Sequence, residues 1–445
     1  ALVGAAATAV TGEAAASTDG PAPKAKNVIV MISDGWGYNH IAATDYYVAG
    51  KLRAQPYERF GVRTAMSTYS FYSAYDPLQA WGLFDYVMSG ATDSASAATA
   101  MSTGSKTYDA AIGVDVNGEP LLHVAEQAEA LGKATGVVST VQWSHATPAG
   151  FVAHNPSRND YAGIAAEMID DSATDVIMGA GHPMFDDDGV EQAAAISYKY
   201  VGGEATWNAL LAGTAGGDAD GDGDADPFTL IQTRDEFRAL AAAKETPARV
   251  CGTAQVYSTL QQSRSGDDMA DPFVVPLTTS VPTLTEMTKG ALNVLDEDED
   301  GFFLMVEGGA VDWAGHANQP GRLIEEQIDF NDAVRAVSKW VRKNSNWGET
   351  LLIVTGDHET GYLWGPGSGP TADGQGVWLP IVNNGAGTLP GMQFNSGNHT
   401  NSLIPLFAKG ATSGPLRAAA TGVDPLRGAY LDNTDIAKTI FSVMD

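Results

Sequence analysis

The sequence predicts an α/β protein, a three-layer α/β/α sandwich around a large, mostly parallel sheet with a small crown-like insertion. Three observations carry the layered core. Continuous apolar runs near 27–33, 135–141, 302–306 and 351–354 have the character of strands buried on both faces. They alternate with helical patterns such as Arg322 to Lys343, where Ile324, Ile328, Val334, Val337 and Val341 recur on one face. The length of 445 residues exceeds the usual single domain but suits one extended α/β sheet, so residues 26–445 are expected to form one domain with insertions.

Along the chain, residues 1–25, with Pro21 and Pro23, read as an extended N-terminal arm. Its first ten residues are apolar and small, and Ala14-Ala15-Ala16 resembles a processing site without a charged n-region, which suggests a start near a signal cleavage point and an exported protein. The first strand, Asn27 to Ser33, stops at Asp34-Gly35-Trp36-Gly37. Asp34 is therefore placed at a strand's carboxyl end, the edge where open α/β sheets bind ligands. Residues 92 to 100, Thr-Asp-Ser-Ala-Ser-Ala-Ala-Thr-Ala, set Ser94 behind Asp93 at the start of a helix-forming run. Unpaired N–H groups and a partial positive charge at such a start suit a seryl nucleophile or a phosphate. Packing and capping explain this window equally well taken alone.

Asp218, Asp220, Asp222, Asp224 and Asp226 alternate with small residues inside an acidic insertion near 214–228. The pattern resembles oxygen-rich calcium loops but lacks the glutamate expected at the twelfth position, and a flexible acidic surface insertion competes with it. A second acidic run, Asp296 to Asp300, reads as a solvated turn; either run is a candidate for weak binding of calcium or monovalent cations. The strand Phe302 to Val306 leads to Glu307, then to Asp312 and His316. Four residues apart on a helical turn, those last two share one face, as two ligands of one metal would. Leu351 to Gly356 ends in Asp357-His358, which serve one site only where the chain leaves the sheet, and Gly356 permits that. The segment 362–395 is rich in glycine and proline with weak periodicity, and His399 follows in a polar loop.

An oxygen and nitrogen donor set without cysteine points to zinc, with magnesium where the ligands are all oxygen. In this order the motifs resemble those of the alkaline phosphatases, the two-zinc, one-magnesium phosphomonoesterase family, from Asp34 to His399. The resemblance implies metal-dependent hydrolysis of small phosphate monoesters to an alcohol and inorganic phosphate, at alkaline pH, through a phosphoserine on Ser94. It assigns Asp312, His316 and His399 to one zinc, and Asp34, Asp357 and His358, with the Ser94 oxygen, to the other. Asp34 bridges to magnesium, whose further ligands would be Thr147 and Glu307. Arg158 matches the arginine that grips the phosphoryl oxygens. Two positions depart from the best-known enterobacterial pattern: His145 stands for an aspartate beside magnesium, and Trp313 for a lysine. The first puts occupancy of the third metal site in question, and the second removes a positive contact to phosphate. A homodimer with a crown near 362–395, and a periplasmic or secreted location, follow from the same resemblance. A sulfatase or phosphodiesterase of the same superfamily would share the two-metal core, but Asp93-Ser94, Arg158, Thr147 and Glu307 favour monoesters. A calcium-binding adhesion protein is the reading from another class, and a triad hydrolase is disfavoured because no Gly-x-Ser-x-Gly surrounds Ser94.

Composition bounds the partners. With 54 acidic against 25 basic residues and a net charge of −29, the surface should repel nucleic acid. Such a coat is also what proteins in concentrated salt carry, which predicts a halophilic source; an acidic mesophilic protein is the plainer alternative. The single Cys251 allows no intrachain disulfide, and no run of 18 apolar residues predicts a membrane span.

Overall fold

In the computed structural model, which describes residues 24–219 and 223–444, β1 (Asn27–Ser33) lies in the interior of an eleven-stranded sheet. Most of the expected N-terminal arm, with Asp220 and Asp222, falls outside the described residues; Ala25 is buried and pairs with Met444. The other strands are β2 (Val62–Ser67), β3 (Ala134–Gln142), β4 (Val176–Ala180), β5 (Thr229–Ile231), β6 (Val250–Thr253), β7 (Phe302–Gly308), β8 (Thr350–Thr355), Ile404–Lys409, Gly422–Asp424 and Gly428–Asp432. Seven of them, in the spatial order β8-β1-β7-β3-β4-β6-β5, run parallel. Beyond β8 the sheet turns mixed, because Ile404–Lys409 lies antiparallel between β8 and β2.

The reason for the central position of β1 is in its side chains. Val28, Val30 and Ile32 enter the core on one face, Ile29 and Met31 on the other, and all five are fully buried. Burying each is worth roughly 2 kcal/mol. β7 and β8 repeat the pattern, with Phe303, Met305, Leu351 and Ile353 on the first face and Leu304, Val306, Leu352 and Val354 on the second. Two helical layers cover these faces. One contains the helices Ser94–Thr103, Tyr161–Asp170 and Thr434–Val443; the other contains Leu284–Leu295 and the long Pro320–Asn344, which spans the expected helix. The three-layer α/β/α arrangement is thus present.

Four neighbouring strands, β8, β1, β7 and β3, point their carboxyl ends the same way. Asp357, Asp34, Glu307 and His145 stand at or just beyond those ends. Two glycines let the chain crowd there. Gly35 has φ of +71°, and a Cβ on it would lie 2.7 Å from Asp312 Cα. Gly356 is needed for close approach instead: its Cβ would sit 3.0 Å from the Ser33 carbonyl oxygen. Segment 362–395 forms only two-residue strand pairs, Leu363–Trp364 with Gln393–Phe394 and Gly369–Pro370 with Gly376–Val377. In the acidic insertion, Asp218 and Asp226 accept hydrogen bonds from the backbone of Gly223 and Ala219. Among the described residues no helix is long and apolar enough to cross a membrane.

Candidate active site

Ser94 opens the Ser94–Thr103 helix, and Asp93 is its N-cap. Asp93 Oδ1 accepts from Ser96 N and Ser96 Oγ at 2.9 Å, so the carboxylate takes one of the N–H groups at the helix start. Its other oxygen accepts from Ala110 N at 3.0 Å and Arg158 Nη1 at 2.9 Å. Burial pushes this carboxyl up, but Arg158 and the two amides hold it below the ordinary range. Arg158 is thereby fixed with its fork beside the serine. Its Nη2 lies 3.2 Å from His145 Nε2, which leaves His145 Nδ1 as the buried ring nitrogen without a partner. Burial, then Arg158, push His145 down to about 3, so it is a neutral acceptor.

Two donor clusters lie beside Ser94, one within reach of its Oγ and one lining the same cavity. In the nearer one, His358 Nε2 lies 3.2 Å from Ser94 Oγ, 3.1 Å from Asp357 Oδ2 and 3.5 Å from Asp34 Oδ1. The second joins Asp312, His316 and His399: the two imidazole Nε2 atoms are 3.0 Å apart, and each lies 3.4 Å from an Asp312 oxygen. Parallel rings of His358 and His399, with centroids 3.6 Å apart, connect the clusters. A tetrahedral ion with bonds of about 2.1 Å places its donors roughly 3.4 Å apart, the spacing seen in both.

The remaining ring nitrogens show which way these donors face. His316 Nδ1 lies 2.7 Å from the Gly397 carbonyl oxygen, and His399 Nδ1 lies 2.9 Å from that of Thr92. Donating there would leave both Nε2 atoms to face inward as lone pairs once a cation replaces the proton of the cluster, the arrangement typical of metal-binding histidines. Both oxygens of Asp34, Asp357 Oδ2, Glu307 Oε1 and Thr147 Oγ1 are buried without a hydrogen-bond partner. Such orphaned acceptors are costly unless a cation satisfies them. Burial, reinforced by Asp357, Asp312 and Glu307, pushes Asp34 well above the carboxylate range. Burial likewise lifts Glu307 to about 7 and Asp357 to about 6. Protein groups alone balance the second cluster through a proton: burial pushes His399 down, yet Asp312 lifts it to about 9. A divalent cation would satisfy the same acceptors with more charge, so the donor set fits metal. Glu307 also accepts from Ser139 on the neighbouring strand, and β7 holds it between Ile32 of β1 and Ser139 of β3.

The structure therefore brings together Ser94, Arg158, Asp34, Asp312, His316, Asp357, His358 and His399, each expected from sequence. Trp313 lines the same cavity of about 610 Å³, its ring 5.9 Å from that of His145. Other contributors escaped the sequence reading. Thr360 Oγ1 donates to Asp312 Oδ1 at 2.5 Å and lies 3.3 Å from His358 Nδ1, so one hydroxyl touches a side chain of each cluster. Asp109 lines the cavity and accepts from Ser96 Oγ at 3.2 Å. The run Asp357-His358-Glu359-Thr360 carried a usable signal for Thr360, since alternate residues of an extended segment share a side.

A sequence model of the family described as Alkaline phosphatase matches residues 25–404. The chain is 31% identical over 344 residues to alkaline phosphatase 3 of Bacillus subtilis, covering 76% of this chain and 61% of that protein. It is 33% identical over 366 residues to alkaline phosphatase H of Pseudomonas aeruginosa, covering 75% and 69%. The match thus spans less than two thirds of the Bacillus relative. Among solved structures, the alkaline phosphatase of the Antarctic bacterium TAB5 is similar over 95% of this chain and 98% of its own, with 28% identity and a TM-score of 0.63.

Proposed function

Because the chain belongs to the alkaline phosphatase family, a family of phosphoric monoester hydrolases, we propose that it hydrolyses small phosphate monoesters, with Ser94 as nucleophile and zinc and magnesium as cofactors. The observation that carries this is the meeting of Ser94 Oγ, the Arg158 fork and the Asp312, His316 and His399 cluster in one cavity, with His358 of the other cluster 3.2 Å from Ser94 Oγ. One zinc would be held by Asp312, His316 and His399, and the other by Asp34, Asp357 and His358. Magnesium would be held by Asp34, Thr147 and Glu307, with His145 beside them. Bound there, the ions supply Lewis-acid stabilisation of negative charge on the entering and leaving oxygens.

The chain's own groups do the rest. Arg158, held by Asp93, binds two phosphoryl oxygens with its planar fork. Free N–H groups at the start of the Ser94–Thr103 helix add a favourable field for the dianion. Ser94 gives up its hydroxyl proton to solvent and its Oγ attacks phosphorus in line; the O–P bond forms, the ester P–O bond breaks, and the alcohol leaves with the electron pair and takes a proton from solvent. Water then attacks the phosphoserine from the vacated side and gives up a proton, the Ser94 O–P bond breaks with its electron pair on Oγ, Ser94 takes back a proton and inorganic phosphate departs. Two inversions give net retention at phosphorus.

The test is turnover of p-nitrophenyl phosphate, with p-nitrophenyl sulfate and bis(p-nitrophenyl) phosphate as controls. Monoester turnover should dominate, disappear with EDTA and return with zinc plus magnesium. Ser94→Ala should lower it by on the order of 10³-fold and abolish phosphoprotein formation while metal content is kept. Undiminished turnover in that variant, or a preference for the sulfate or diester, overturns the reading.

A further inference from the structure

We propose that His123, Glu126 and His154 form a second, separate transition-metal site, one that clips the segment bearing Arg158 to the Val124–Ala130 helix. His123 is the N-cap of that helix and wholly buried; its Nε2 has no hydrogen-bond partner, and its Nδ1 faces the Glu126 carboxylate. A buried imidazole left in this state is unfavourable unless something else takes its lone pair. What faces it is a ready donor set. His123 Nδ1 is 3.2 Å from Glu126 Oε2, and His154 Nε2 is 3.8 Å from the same oxygen. All three donors lie within 4.8 Å of one another. Zinc at bond lengths of about 2.0–2.1 Å needs donors roughly 3.3 Å apart, so small rotamer adjustments suffice. The Leu121 carbonyl oxygen, 2.9 Å from His154 Nε2, is a fourth donor within reach.

The surroundings repeat the pattern seen around metal-binding histidines elsewhere in proteins. His154 Nδ1 lies 3.2 Å from Glu167 Oε1, so a carboxylate receives the far N–H and orients the ring. Burial keeps His123 in its neutral, ligating form. His154 is held above its ordinary value, Glu167 and the Leu121 carbonyl outweighing burial, so a cation arriving there displaces a proton. Glu126 is 39% exposed and gives the ion a route from solvent. The donors contain two imidazoles and a carboxylate without thiolate, a set that suits zinc among the common divalent ions. Four residues after His154 comes Arg158, whose backbone N–H donates to Ala110, while Asn155 pairs with Ile112. A metal on His154 would therefore steady the stretch that presents the guanidinium.

The experiment loads the whole enzyme with zinc chloride, dialyses away the excess, and compares native protein with His123→Thr, which retains a helix-capping side chain. Native protein should hold one zinc equivalent per chain more than the variant. Crystals of the native protein should show an anomalous peak at the zinc edge between His123, Glu126 and His154. Equal zinc content in the two proteins overturns the proposal. So does a native map with peaks between Asp34 and His399 and none at this cluster, a reading that stands even where the variant fails to fold.

Discussion

Asp93 divides its two oxygens between the helix that presents Ser94 and the arginine that faces it. Removing the carboxylate should therefore release Arg158 as well as uncap the helix. Each charge-assisted hydrogen bond lost to phosphate costs roughly 1.5–3 kcal/mol. With two such bonds to its fork, Arg158→Ala should accordingly raise the inhibition constant for inorganic phosphate by about 100-fold or more. Asp93→Ala should raise it less, and the double variant should show less than the sum, because both act through one guanidinium. Strict additivity in the measured inhibition constants would mean that Asp93 positions something else. Asp34, Ser94, Glu307, Asp357 and His358 were legible as candidate site residues because each ends or follows an apolar strand or opens a helix, whereas Arg158 and His399 lie in stretches that read as loops and were picked out by the family resemblance. The carbonyls of Thr92 and Gly397, which orient His399 and His316, have no such signature, since a backbone oxygen looks the same at every position. His145 was named as a candidate through the family resemblance, but its hydrogen bond with Arg158 depended on a fold that brings residue 158 back over residue 145.

At the scale of the element, the strand ends work because the turn after β1 can pass under the Ala310–His316 helix. Gly35 is what allows it. Gly35→Ala would incur roughly 1–2 kcal/mol for the left-handed backbone and would also drive a methyl group into Asp312. The expected outcome is a lower melting temperature together with loss of zinc from the Asp312 cluster, measured by metal analysis. Full zinc occupancy at unchanged stability would show that this turn can relax. The Pro320–Asn344 helix carries a different liability, Glu326, which burial, then Asp329 and Glu325, push up to about 8. The folded state thus binds this proton more tightly than the unfolded chain. Stability from this group is intact below the ordinary glutamate range, near 4.5, and is lost as pH rises toward 8, at about 1.4 kcal/mol per unit at most. Glu326→Gln should therefore stabilise the protein at pH 9 and progressively less toward pH 5, as read by denaturant unfolding at each pH. An offset independent of pH would place the effect in packing. Apolar periodicity anticipated this helix and the four central strands. The mixed edge from β2 to Gly428–Asp432 was not anticipated, because antiparallel pairing there is set by tertiary return of the chain and leaves no local period.

Across the whole molecule, two fields oppose each other. Arg158, and cations held by the donor clusters, would draw a phosphate dianion in at short range, whereas a net charge of −29 repels it at long range. Salt separates the two, because the screening length falls from about 10 Å at 0.1 M to about 3 Å at 1 M. Like charges on the surface that are separated by more than the second value are muted. Buried groups at 3–4 Å, such as Asp34 and His358, are screened far less. Sodium chloride between 0.1 M and 1 M should consequently raise the melting temperature, by relieving repulsion among 54 carboxylates set against 25 cationic side chains. It should also raise kcat/KM for p-nitrophenyl phosphate by speeding encounter, with kcat much less affected. An uncharged osmolyte such as sucrose at matched osmolality separates screening from preferential exclusion, since it leaves the field intact. A melting temperature that rises equally with sucrose would assign the gain to exclusion. One that is flat in salt would show that the acidic coat is dispersed enough for water alone to neutralise it, and would remove the physical basis for a high-salt habitat.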